Sequence, residues 1–486
     1  MNHQLHFDLS AAARRSMIEH GFEPEYPPPI ADQLKQLREH PVPANPSARD
    51  LRGLLWSSID NDTSRDLDQI VYVEGVPGGG SRVLIGIADV DASVPKGSPI
   101  DQHALRETTT VYTGVEIFSM LPEQLSTGST SLLEAQDLPA VVVEFTVDAQ
   151  AQISNTNISL ARVINKAQLA YPSVGAWLAG PADAPPKVAA PKELQQQLRL
   201  QDDVAQRLRR ERSNHGALYL ETIETHPITE HDGSIDIEAE VKNRATQLIE
   251  DFMIAANGVV ARTLEAKHFS SIRRVVKTPK RWDRIVELAR QRGTQLPAAP
   301  DSKPLHDFLS DQQKKDPDHF ADLSLAVIKL LGPGEYVLEK PGEPPQGHFG
   351  LAVQDYTHST APNRRYADLV MQRLLKAMIL GRPSPYSDDE LASVAAQCTR
   401  MEDAERKVSR EMQKRIAAVA MAGRIGQAFD AIVTGVTDHG SFVRTLKPPV
   451  DGMLVRGQQG VDVGDRLRVT LVRTDPAQGY IDFARA

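Results

Sequence analysis

The chain has 486 residues, of which 41% are apolar and 24% charged, and its formal net charge is −9. That balance suits a water-soluble globular protein of two to four domains and excludes a surface that is basic throughout, so phosphate contacts must come from local clusters. No apolar run approaches the roughly eighteen residues of a membrane span. Residues 1–6 show no basic segment leading into an apolar stretch, so no signal peptide is expected. Cys398 is the sole cysteine, which excludes an intrachain disulfide or a cysteine-based zinc site. A cytoplasmic location is expected.

Residues 1–50 read as two short helices, at 9–18 and 30–38, separated by Pro27-Pro28-Pro29 and followed by Pro41, Pro43 and Pro46. They suit either a helix-turn-helix-like element or a packing arm on the next domain.

A strand pattern begins at Leu51 and runs into Asp60-Asn61-Asp62-Thr63-Ser64-Arg65-Asp66-Leu67-Asp68-Gln69. Clustered carboxylates are hard oxygen donors, matched to Mg²⁺ or Mn²⁺. Asp66 and Asp68 are two apart and share one side of an extended chain. A polar surface turn is the competing reading. Strands are expected at 70–74, 82–91, 141–147 and 153–164. Helices are expected at 194–212, 247–266, 281–291, 323–331 and 366–380. Basic clusters occur at Arg207–Arg212, Arg273-Arg274 with Lys277, and Arg364-Arg365. A long charged helix over 387–424 precedes five short strands in the last sixty residues, which predicts an OB-like barrel. Phe429, His439, Phe442 and Arg468 are its candidate RNA-facing residues, each equally compatible with core or plain surface.

Several of these segments resemble, in the same order, blocks of the ribonuclease II (RNB) family of 3′-to-5′ exoribonucleases. The acidic stretch is similar to the family's acidic motif. So are Ile87-Ala88-Asp89-Val90, Thr110-Val111-Tyr112, Met120-Leu121-Pro122, Asn214-His215-Gly216-Ala217-Leu218 and Ile249–Asn257 to later blocks. The most specific match is Tyr356-Thr357-His358-Ser359-Thr360-Ala361-Pro362-Asn363-Arg364-Arg365-Tyr366-Ala367-Asp368-Leu369-Val370. The resemblance implies an α+β fold with a short helical N-terminal region (1–50), an RNB-type catalytic domain (51–385), its helical extension (386–425) and an OB-fold RNA-binding domain (426–486). The cold-shock-type barrels that usually precede the catalytic domain have no counterpart in residues 1–50.

By that resemblance, Asp60, Asp66 and Asp68 are metal and phosphate-site carboxylates, and Asp68 and Arg364 are catalytic. Gln69 stands where the family usually has a metal-binding aspartate, and offers only a neutral oxygen. Tyr112 would stack on the 3′-terminal bases, with Glu405, Tyr356, His358 and Arg365 as further RNA-binding candidates. For Arg364 a structural ion pair, for Tyr112 a core position and for Glu405 a solvated helix face remain open. Asp62 lies off the family positions and reads as turn chemistry. The implied activity is Mg²⁺-dependent hydrolysis of single-stranded RNA to nucleoside 5′-monophosphates by a monomer without membrane contact. An RNA-binding protein that does not cut, or a phosphoesterase on small molecules, are the alternatives.

Overall fold

The computed structural model describes residues 7–43, 45–180, 182–222, 224–229, 235–240, 242–438 and 440–486. Two helices come first, α1 (Leu9–Glu19) and α2 (Pro28–Glu39). Strands β1 (Arg49–Asp50), β2 (Trp56–Asp60), β3 (Gln69–Val76) and β4 (Gly80–Ala88) follow, then helix α3 (Pro99–Glu107) and a short hairpin, β5 (Val111–Tyr112) and β6 (Ile117–Phe118). Two long strands, β7 (Asp137–Val147) and β8 (Ile153–Ala170), lead to helices α4 (Tyr171–Ala179), α5 (Pro186–Ala189) and α6 (Lys192–Asn214). A second hairpin, β9 (Glu224–Thr229) and β10 (Ile235–Glu240), precedes α7 (Arg244–Ala266) and β11 (Ser271–Val275). Helices α8 (Trp282–Gln291), α9 (Ser302–Lys315) and α10 (Phe320–Leu331) form a small cluster before β12 (Glu335–Glu339). Then come α11 (Tyr366–Ile379), the 35-residue α12 (Asp388–Ala422), and β13 (Ala428–Thr437), β14 (Gly440–Thr445), β15 (Asp451–Arg456), β16 (Arg466–Asp475) and β17 (Tyr480–Arg485).

The main sheet runs β1-β8-β2-β3-β4-β7, and β7 also pairs with β8, so five of its strands close on themselves with β1 appended. Closure buries both faces of β4, whose pattern is apolar almost throughout. Helices α7 and α11 cover this sheet. The first starts from a capping box at Asn243, and the second is buried on nearly every side, as its sequence of Leu, Val, Met and Ala permits. The C-terminal strands form a closed barrel, β13-β14-β15-β17-β16, with β15 and β17 parallel. The α+β architecture and five-stranded barrel expected from the sequence are therefore present. Strand β4 stops at Ala88, three residues before the expected end, because Asp89 caps a tight helical turn over Val90–Ala92.

Helices α1 and α2 seat in different apolar cores. Leu9, Ala12, Ala13 and Met17 of α1 pack with β5, β6 and α12, whereas Ile30 of α2 joins the core of the main sheet. Residues 7–40 thus form a packing arm and not a self-contained helix-turn-helix. The β9–β10 hairpin is likewise divided: Ile237 enters the barrel's core and Ile235 packs against the cluster of α1 and α12, while Asp236 pairs with Arg424 at 2.9 Å. Among the described residues no helix is long and apolar enough to cross a membrane.

Candidate active site

The acidic stretch joins β2 to β3. Asp60 ends β2, and its carboxylate accepts the Asn61 amide and the Ser64 hydroxyl, both at 2.8 Å. The turn this creates leaves Asp62 exposed, as expected of turn chemistry. Leu67 then inserts into the core and is 1% exposed. Its amide donates to Ser131 Oγ at 2.9 Å, and the Ser131 hydroxyl donates to the Arg65 carbonyl at 2.6 Å. With Leu67 fixed inward, Asp66 faces a cleft and Asp68 lies beneath it, 1% exposed.

Asp68 meets the loop before α11. Its Oδ1 accepts the Asn363 amide at 3.0 Å and its Oδ2 accepts Arg364 Nε at 3.2 Å. Asn363 is itself clasped: its side-chain amide donates to the Thr130 carbonyl at 3.0 Å, and the Thr130 hydroxyl donates to Asn363 Oδ1 at 2.6 Å. The Arg364 carbonyl accepts the Thr110 amide at 3.0 Å, which ties this loop to the strand that carries Tyr112. Burial pushes the Asp68 carboxyl up to about 7 against the opposing pull of Arg364. Burial likewise raises Asp60. For Arg364, burial acts to lower its pKa, but the negative charges around it, Asp68 first and then Tyr112 and Asp60, together outweigh it and the net shift is upward.

The cleft has a volume of about 350 Å³ and is lined by Asp60, Asp66, Tyr112, Ile117, Ser126 and Arg364, among others. Tyr112 and Ile117 are cross-strand partners, 44% and 61% exposed, and form one wall. The Tyr112 hydroxyl donates to Asp66 Oδ2 at 3.1 Å. Behind this wall Glu405 on α12 accepts the Ser409 hydroxyl at 2.8 Å, and burial raises its pKa.

Asp60, Asp66, Arg364 and Tyr112 therefore share one cleft, with Asp68 supporting it from below. Gln69 is buried at the start of β3, opposite Ile87, and is not among the cleft's lining residues. Tyr356 and His358 pack edge-on to each other, and His358 Nδ1 hydrogen-bonds the Tyr336 hydroxyl at 2.8 Å. Burial and the charges of Arg365 and Arg274 hold His358 well below its usual range. Neither residue lines the cleft; the interior aromatic cluster takes them because neighbouring His348 and Tyr336 offer ring faces. Arg365 forms a fork with Asp368, both contacts at 2.8 Å, at the start of α11. In the barrel, Phe429 points inward and meets Phe483 edge-to-face at 6.3 Å, so it serves the core. Phe442 is 38% exposed, and Arg468 is exposed and paired with Asp430. His439 lies outside the described residues.

Ile117, Thr130, Ser131 and the function of Asn363 emerge only from the structure. The run of Ser and Thr at 126–131 was a signal for a polar loop, though nothing in it names the distant partner.

Among the described residues no three His, Cys, Asp or Glu side chains are grouped to hold a metal ion by themselves. The donor set fits Mg²⁺ in another way. Magnesium keeps several waters and is commonly bound through one or two carboxylates plus substrate phosphate oxygens, and Asp60 and Asp66 both face the cleft.

Residues 48–381 match the family model of the RNB domain, and residues 427–486 match that of the RNase II-type exonuclease C-terminal S1 domain. Ribonuclease R of Vibrio cholerae is 30% identical over 464 residues, covering 92% of this chain and 55% of the relative. Ribonuclease R of Escherichia coli is 28% identical over 446 residues, covering 88% and 54%. The chain thus spans little more than half the length of these relatives. The RNA-free structure of Mycoplasma genitalium RNase R has a TM-score of 0.86 at 24% identity, covering 99% of this chain and 78% of that one. The same enzyme has been solved in complex with ribose-methylated single-stranded RNA, at the same TM-score.

Proposed function

From the membership of this chain in the RNB domain family, with an RNase II-type S1 domain behind it, we propose that it is an exoribonuclease which hydrolyses single-stranded RNA from the 3′ end to nucleoside 5′-monophosphates. The observation that carries this reading is the joining of Asp60, Asp66 and Arg364 with an exposed tyrosine in one cleft, with buried Asp68 bonded to Arg364 beneath it.

The residues divide the work. Tyr112 and Ile117 give the terminal base an apolar wall, and base–aromatic stacking contributes about 1–3 kcal/mol per base without regard to sequence. Arg364 presents N–H donors to the scissile phosphate, where negative charge grows during displacement. Asp68 and the Asn363 clasp fix the direction of that guanidinium, so its alignment precedes the reaction. Asp60 and Asp66 would hold Mg²⁺, which when bound lowers the pKa of water and relieves charge on the phosphate. Gln69 adds no charge to that set. The barrel supplies a second RNA contact, for which Phe442 and Arg468 are the exposed candidates. Contacts to the 2′-hydroxyl would separate RNA from DNA.

Gln69 favours one rival: a protein of this fold that holds RNA without cutting it. Digestion of a 5′-labelled single-stranded RNA, with Mg²⁺ and with EDTA, separates the two. A ladder of 3′-shortened products and free mononucleotides, formed only with Mg²⁺, is expected. Salt-sensitive binding without product would establish the rival, and hydrolysis in EDTA would remove the metal from the reading.

A further inference from the structure

We propose that the N-terminal arm, residues 7–40, is a positioning element for the cleft wall formed by Tyr112 and Ile117, with Arg14 and Tyr26 as its positioning residues. The inference rests on the reading of that wall as the seat of the RNA end.

Strands β5 and β6 are two residues each. A two-stranded ribbon is marginal in water even at ordinary length, so its geometry must be imposed from outside. Successive side chains of a strand point to opposite faces. Tyr112 and Ile117 face the cleft, and Val111 and Phe118 face away, 0% and 7% exposed. Their hidden face is packed into one cluster with Leu9, Ala13 and Met17 of α1 and Val408, Met412 and Ile416 of α12. The arm thus supplies part of the backing of the wall.

Polar contacts add direction. Arg14 forms an ion pair with Glu116, within the hairpin, and its guanidinium lies 5.6 Å from the centre of the Phe118 ring. The Tyr26 hydroxyl lies 2.7 Å from the Ser119 carbonyl and 3.0 Å from the Leu121 carbonyl, just past β6. The hairpin's tip also lies close against α12. Gly114 has φ +83°, and a Cβ there would come within 2.9 Å of Ile416 on α12. Backed by the arm and α12 together, the ribbon has little room to slide. The arm in turn is moored through Ser16 to Glu411, through the Glu23 amide to Glu107 at 2.9 Å, and through Ile30 in the main core. A shift of the arm would move Tyr112 relative to Asp66, its 3.1 Å neighbour, and stacking is lost over such small displacements.

The test is a double-mutant cycle on the full chain. Arg14→Ala with Tyr26→Phe is made in the unmodified chain and in a Tyr112→Ala background. Two quantities are read: quenching of a 3′-terminal 2-aminopurine in single-stranded RNA, measured in EDTA, and the KM and kcat of hydrolysis with Mg²⁺. In the unmodified background the arm variant should weaken the quench and raise KM about three- to ten-fold, the size of coupling seen between contacting residues, with a smaller change in kcat. In the Tyr112→Ala background it should add nothing. Equal losses in both backgrounds would show a general structural role and overturn the proposal, as would an unchanged quench and KM. Matched melting curves show that all four chains are folded. The fluorescence measurement needs no turnover, so it decides the matter even for a chain that binds RNA without cutting it. If the unmodified chain gives no quench at all, the stacking role of Tyr112 falls, and the proposal with it.

Discussion

Two groups of aspartates lie in the RNB domain, and the contrast between them separates structure from chemistry. Asp89, Asp91 and Asp101 meet Arg373 and Lys376, with every carboxylate in an ion pair at 2.8–2.9 Å. Tyr366 donates to Asp101, and Arg373 donates to the Tyr386 oxygen and the Val94 carbonyl. This group is closed: its two cations reach all three carboxylates, so none is left without an ion pair. Asp60, Asp66 and Asp68 make one ion pair between them among the described residues, that of Asp68 with Arg364. The first group anchors α11 to the sheet, whereas the second keeps an excess of negative charge facing a cleft. Carboxylates so placed repel one another and are costly without a cation. The second group and Asp89 of the first fall within the sequence motifs; their pairing tells the two groups apart.

The largest effect expected from this contrast is on hydrolysis. Asp68→Asn removes a charge beside Arg364 and should lower kcat by about 10³-fold or more, the scale of losing a preorganised electrostatic group, while RNA affinity stays within a few-fold. Hydrolysis at the unmodified rate in a gel assay would sink the catalytic assignment. Arg373→Met should do the reverse. It leaves Asp101 without a cation, while Asp91 keeps only Lys376, and breaking a buried pair from one side costs about 3–5 kcal/mol, so denaturant unfolding should show a large loss of stability. If Arg373→Met is as stable as the unmodified chain, that network is not what fastens α11.

A smaller effect is a pH dependence of the metal-free protein. Folding raises the Asp68 carboxyl from its model-compound value of 3.8 to about 7, chiefly by burial. The unfolded chain therefore releases this proton first, and stability should fall as pH rises from about 4 to about 7, then level off. Between pH 5 and 7.5 the expected loss from this one group is about 3 kcal/mol. Urea unfolding in EDTA should show a slope that Asp68→Asn flattens, and an equal slope in both chains would mean that Asp68 is ionised throughout. The comparison sharpens further if Mg²⁺ restores the loss in the unmodified chain alone.

How far the site could be read in advance depends on the kind of contact involved. Asp60, Asp66 and Asp68 were legible because their chemistry is local, and Arg364 because its motif is long, although 296 residues separate it from Asp68. The Asn363–Thr130 clasp was not legible, since a hydrogen bond across 233 residues leaves no local pattern. Tyr356 and His358 stand near Arg364 in sequence, yet turn toward Tyr336 and His348 in the interior. Phe429 was ambiguous because an aromatic residue in a short strand suits either face, and barrel closure decides which. The N-terminal helices were visible as helices, but their seats in two separate cores depend on partners far along the chain.

The β9–β10 hairpin has a consequence for how the molecule is made. Ile237 belongs to the barrel's core, but the barrel strands emerge from the ribosome roughly 190 residues later. At about 5–20 residues per second, that apolar side chain waits on the order of ten seconds or more for its partners. A nascent chain that stops short of β13 leaves Ile237, Ala418 and Met421 without the barrel residues that cover them. The last sixty residues are thus the closing piece of a surface opened near the middle of the chain, and shortened products should be prone to aggregate.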